Sequence, residues 1–138
     1  QRYDGEALDA SLLLLPLVGF LPADDPRIVS TIAAVERELV EGGLVRRKAA
    51  RGDGHDEGAF LACSCWLADC MAMQGRREEA ANMLDRVIGL SNDVGLLSEE
   101  FHVPTRRLIG NMPQALTHLG VVNSALFLSR PVVQRGAA

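Results

Sequence analysis

An alternation along the chain constrains its fold more than any single motif: helical segments with almost no polar face take turns with helical segments that have one wet side. From about Ala7 to Leu21 the sequence is nearly continuous in leucine, and Pro16 is placed to kink or restart the helix. Asp25-Pro26 then reads as an N-cap followed by a first-turn proline. The helix predicted over Pro26 to Glu41 carries Ile28, Ile32, Val35 and Leu39 at helical spacing, with its charges on other faces, and Gly42-Gly43 ends it. Leu44 to Asp56 reads as a long charged loop, and such loops are often functional. A third helix, about Glu57 to Gln74, is apolar almost all round: between Ala59 and Met73 only Ser64 and Asp69 are polar. The fourth, Arg77 to Leu90, is one-sided again, and the fifth, Pro113 to about Ser129, contains no charged residue. Arg130 to Ala138 reads as a frayed tail.

The helices of a four-helix bundle would all be similarly amphipathic. Alternation predicts instead an all-α fold of two concentric layers, helices one, three and five inside and helices two and four outside. Five helices that end on an inner one do not close such a ring, so the remainder is expected upstream. A first residue that is Gln1, with no signal-peptide pattern behind it, fits the same expectation of a fragment. The expected organisation is one partial helical domain over residues 1–129 and a tail over 130–138.

Composition narrows the function. Hydrophobic residues make up 48% of the chain but aromatics only 4%, an aliphatic core that favours helices. A net charge of −4 argues against nucleic acid or an anionic membrane as partner. The apolar run from Leu12 to Leu21 is ten residues, against about 20 for a membrane span. Three cysteines, Cys63, Cys65 and Cys70, point to a reducing compartment, hence the cytoplasm, and to buried structural thiols. On a helix Cys63 and Cys65 point roughly 200° apart, so they do not share a metal ion. Neither metal nor cofactor is expected.

Chemistry concentrates between Leu96 and His118, read as a loop with Pro104, Gly110 and Pro113 as breakers. Here stand the adjacent carboxylates Glu99 and Glu100, then Gln114 and His118, four apart on one helix face. Paired carboxylates on a loop held between helices suit acid/base work; a solvated surface pair is the plainer alternative. Glu57 opens its helix at a loop end, where a site role and a favourable dipole interaction both fit. Asp69, alone on an apolar helix, reads as a paired structural carboxylate.

Several blocks in sequence order carry a resemblance: residues 8–27 with LDASLLLLPLVGFLP and DDPR, 37–47 with RELVEGGLVRR, 57–69 with EGAFLACSCWLAD, 92–101 with NDVGLLSEEF, and 110–125 with GNMPQALTHLGVVNSA. Together they resemble glycoside hydrolase family 15, the group of glucoamylases and bacterial trehalases, over Tyr3 to about Ser129. The resemblance implies the C-terminal part of a six-hairpin α/α toroid, about five helices of twelve. It also implies hydrolysis of an α-glucoside or oligosaccharide with inversion at the anomeric carbon. In family terms Glu99, the first glutamate of the S-E-E segment, maps to the general base. Glu100, Gln114, His118 and Glu57 are the expected substrate-binding residues, and the general acid belongs to the missing N-terminal part. His102 to Arg107 departs from the family's usual turn, and Cys65, Met112 and Leu116 stand where aromatics are common. A non-catalytic helical-hairpin scaffold is the competing expectation.

Overall fold

A computed structural model describes residues 7–49 and 57–130. The chain opens with a 3-10 turn, Ala10–Leu13, that runs into a one-turn helix α1, Leu14–Leu17. Helix α2 spans Pro26–Leu39, α3 Leu61–Met73, α4 Arg77–Ile88 and α5 Ala115–Ser129. Two small antiparallel sheets join them. Strands β1 (Val40–Glu41) and β2 (Leu44–Val45) form a hairpin across Gly42-Gly43, and β3 (Ala59–Phe60), β4 (Glu100–His102) and β5 (Arg107–Ile109) form a three-stranded sheet in that order. The fold is therefore mainly α rather than all-α.

Each departure has a local cause. The leucine-rich first segment is cut short at Gly19, whose φ of 75° few other residues adopt. Gly19 N donates to Pro16 O at 3.1 Å and Phe20 N to Leu15 O at 3.0 Å, the paired bonds of a Schellman cap. Leu96 to His118 is not all loop. Glu100 pairs with Ile109, Phe101 with Leu108 and His102 with Arg107 around the turn at Val103–Arg106. Three-residue strands are too short for a period-2 pattern to show in sequence. The third helix starts at Leu61 because Ala59 and Phe60 pair with Phe101 and Glu100 instead. Of the charged loop, Leu44-Val45 is strand, and residues 50–56 lie outside the described residues, as do tail residues 131–138.

Helix α3 is the centre of the molecule. Ten of its 13 residues are buried, and it packs against α4, α5 and the opening 3-10 turn. Each fully buried side chain such as Leu67 contributes roughly 1.5–3 kcal/mol by leaving water. Helices α2 and α4 bury one stripe each, Ile28, Ile32, Val35 and Leu39 in α2, and Ala80, Met83, Leu84 and Val87 in α4. Arg76 ties α2 to the start of α4 by donating to both oxygens of Glu36, at 3.1 and 2.6 Å. At the far end of α5, Arg77 donates to the carbonyls of Leu128 and Arg130.

Helix α5 differs from expectation. Only Thr117, Gly120 and Ser124 are buried, while Leu116, Leu119, Val122 and Leu126 are 44–59% exposed. Gly120 is where α5 touches α3: a Cβ there would come within 3.2 Å of Cys65 Cβ. The apolar stripe beyond that contact lies open among the described residues.

All three cysteines are buried and unpaired, and Cys70 Sγ donates to Leu13 O at 3.3 Å, joining α3 to the opening turn. Burial pushes each thiol up to about 12. At pH 8 a thiol reagent is expected to modify none of the three in folded protein and all of them after denaturation. Rapid labelling without denaturant would contradict that.

Candidate active site

Three charge-poor segments begin at the same end of the molecule. Asp9 caps the opening 3-10 turn, its Oδ1 accepting from Ser11 N at 2.9 Å, and Ala10 N donates to Arg47 O at 2.9 Å. Arg47 Nη2 donates to Glu57 Oε1 at 2.5 Å, just before α3. The first amide of α3, Leu61 N, donates to Glu99 O at 3.0 Å. The N-cap of α5, Gln114, donates its amide to Leu97 O at 2.9 Å. Helix N-termini favour negative charge nearby, and Glu57, Glu99 and Glu100 lie in this one cluster.

Glu99 is half-buried and held through both main chain and side chain. Its amide donates to Asn111 O at 2.9 Å, while its Oε2 accepts from Asn111 N at 3.1 Å and from Asn111 Nδ2 at 2.9 Å. Gly110, with φ of 74°, lets the chain pass close: a Cβ there would stand 3.0 Å from Glu99 Cβ and from Glu99 Oε2. Among the described residues no donor reaches Oε1, so that oxygen remains open as an acceptor.

Glu100 faces a different environment. Its Oε2 accepts from Gly58 N at 2.8 Å, and Ser98 Oγ donates to its carbonyl at 2.6 Å. Burial holds its carboxyl above the ordinary glutamate value, against the opposing Gly58 N–H bond; the charges of Glu57 and Glu99 add to the rise and Arg47 reduces it.

Gln114 and His118 share a face and meet the same loop, and Gln114 Oε1 and both ring nitrogens of His118 are engaged with the chain. Gln114 Oε1 accepts from Leu116 N at 3.3 Å, capping α5. His118 Nδ1 lies 2.8 Å from Gln114 O, and its Nε2 accepts from Leu97 N at 3.3 Å. Those partners assign the proton to Nδ1. Thr117 Oγ1 donates to Ser98 O at 2.9 Å, so the loop residue before Glu99 is also tied to α5. Glu57 is exposed and paired with Arg47, and its neighbour Gly58 donates to Glu100. Sequence reasoning missed Asn111, Gly58 and Arg47, although Gly110-Asn111 was a readable signal: a glycine-containing turn just before a helix cap.

A groove of about 470 Å³ runs between α1, α3 and α5, lined by Leu17, Trp66, Asp69, Leu119 and Phe127 among others, and does not include Glu99. Asp69 was expected to be paired, yet its buried Oδ1 has no hydrogen-bond partner among the described residues. Burial raises its pKa, and Ser124 offsets part of the rise. Among the described residues no group of His, Cys, Asp and Glu is arranged to hold a metal ion, and no helix is long and apolar enough to cross a membrane.

The model of the family described as glycosyl hydrolases family 15 matches residues 1–126. The chain belongs to that family. It is 42% identical to the trehalase of Mycolicibacterium smegmatis over 134 residues, which is 94% of this chain and 20% of that protein. It is 38% identical to the trehalase of Thermoplasma acidophilum, covering 98% of this chain and 24% of that one. A solved glycosidase superposes with a TM-score of 0.78 at 25% identity, over 91% of this chain and 37% of that chain. A variant described as a glycosidase in complex with glucose superposes equally well, again at 25% identity. This family-15 chain thus spans about a fifth to a quarter of the length of those curated relatives.

Proposed function

We propose that this chain supplies the general-base half of the active site of an inverting glycosidase that cleaves α-glucosidic bonds, with trehalose as the favoured substrate. The observation that carries the reading is the hold on Glu99: its carbonyl accepts from the first amide of α3 and its Oε2 is clamped by Asn111, while Oε1 is open. Family membership makes a glycosidase the natural class, and relatives named trehalase favour that sugar over longer glucans.

In this mechanism Glu99 Oε1 takes a proton from a water molecule. The water oxygen attacks the anomeric carbon on the face opposite the glycosidic oxygen. A carboxylic acid outside these 138 residues protonates that leaving oxygen. The two carboxyl groups stand roughly 6.5–9.5 Å apart so that the water fits between base and sugar. Glu100, anchored to Gly58, and Glu57, paired with Arg47, form the acidic wall that meets sugar hydroxyls. Gln114 and His118 border the site, and His118, with both ring nitrogens engaged, contributes shape. The chain is the C-terminal part of an α/α toroid in this reading, and the open stripe of α5 faces the N-terminal part of the same domain.

The test is the anomeric composition of product released from α,α-trehalose by the full-length protein, followed by NMR before mutarotation. Inversion yields α- and β-glucose in equal amounts, because only the attacked ring changes configuration. Release of α-glucose alone means retention and removes the general-base role. No hydrolysis of any α-glucoside would leave the scaffold reading in its place.

A further inference from the structure

We propose that Asn111 is the positioning residue that fixes which oxygen of Glu99 is free to take the proton from water. The inference rests on the general-base reading of Glu99 and adds a second residue to it. Three hydrogen bonds connect the two residues. Glu99 N donates to Asn111 O, Asn111 N donates to Glu99 Oε2, and Asn111 Nδ2 donates to the same Oε2, at 2.9, 3.1 and 2.9 Å. The first aligns the β4 entry with the segment leaving β5. The other two place two N–H groups on one carboxylate oxygen and leave its sister open.

A carboxylate on a flexible side chain turns about its last torsion, a broad two-fold rotor with no strong preference of its own. A base must present one lone pair to a water already in line with the anomeric carbon, and small misplacements there cost rate steeply. Two donors on Oε2 remove that freedom. The Asn111 side chain is exposed, so truncating it opens no cavity.

The test compares Asn111→Ala and Asn111→Asp in the full-length enzyme, with Glu99→Gln in parallel. Asn111→Ala keeps both main-chain bonds and loses the Nδ2 donor. Its kcat is expected to fall by about tenfold or more, the scale of a lost hydrogen bond to a charged group, with KM nearly unchanged. Asn111→Asp, the same shape with no side-chain donor, lowers kcat more, again with KM nearly unchanged. Melting temperatures of both variants stay near wild type. A wild-type kcat in Asn111→Ala, alongside an inactive Glu99→Gln, overturns the positioning role and leaves the base in place. Wild-type activity in Glu99→Gln overturns both.

Discussion

Glu99→Gln in the full-length protein is expected to lower kcat by about 10²- to 10⁴-fold, the span that general acid–base catalysis supplies, while far-UV circular dichroism and the melting temperature stay the same. The size follows from the clamp. The two N–H donors of Asn111 hold whichever atom sits at the Oε2 position, so in the glutamine variant they select the amide oxygen. The amide nitrogen then occupies the place of Oε1. In the proposed mechanism the acceptor for the water's proton becomes a donor, and the proton has nowhere to go. Because the side chain is half-buried with its neighbours unchanged, folding does not register the substitution. Glu100→Gln is the matched comparison. Its Oε2 is bonded to Gly58 N, so it anchors the sheet edge, and its loss of kcat is expected to be much smaller. Equal losses in the two variants would deny Glu99 its special place.

Gly58→Ala is expected to cost about 1–3 kcal/mol of stability, the range for overpacking a tight site, and to damage activity at the same time. A Cβ on residue 58 would stand 2.8 Å from Phe101 O and 2.9 Å from Phe101 C, main-chain atoms of the adjacent strand that have no rotamer to give. Relief requires β3 to move off β4. That movement breaks the Gly58 N bond to Glu100 and strains the bond from Leu61 N to Glu99 O. The denaturant midpoint reports the first effect and kcat the second. Leu67→Ala separates them: a cavity in the middle of α3 is expected to destabilise by roughly 2–5 kcal/mol with kcat unaltered in the fraction that remains folded. An unchanged midpoint for Gly58→Ala would mean that the strand contact is looser than its geometry.

The helices were legible where periodicity is long enough to count. Ile28, Ile32, Val35 and Leu39 were read as one stripe and are buried as one. The near-total burial of α3 follows from a segment whose interior polar residues are only Ser64 and Asp69. Glycine punctuation was half read: Gly42-Gly43 was seen to end α2, whereas Gly19 was read through, because unbroken leucines around it outweighed one residue. The β4–β5 hairpin was invisible because each strand is three residues and its turn has no glycine; Arg106 takes the positive φ there, at 54°. Helix α5 was expected to be buried because it carries no charge, but composition says only that a face seeks cover, not whether the cover is present. At the site, the pair Glu99 and Glu100 stood out in sequence, while the division of work between them did not. That division depends on Asn111 and Gly58, 12 and 42 positions away along the chain, which only the folded chain brings to the two carboxylates.

The main-chain bonds on either side of Glu99 bear on the timing of the reaction. Its carbonyl is fastened to the first amide of α3 and its own amide to Asn111, so the peptide frame of Glu99 belongs to the most deeply packed helix rather than to a hinged loop. Hydrogen exchange at the amides of Leu61 and Glu99 therefore follows opening of the core. In the proposed general-base role, substrate would meet a group already aimed, and the entropy of aiming it would be lost during folding, not during turnover.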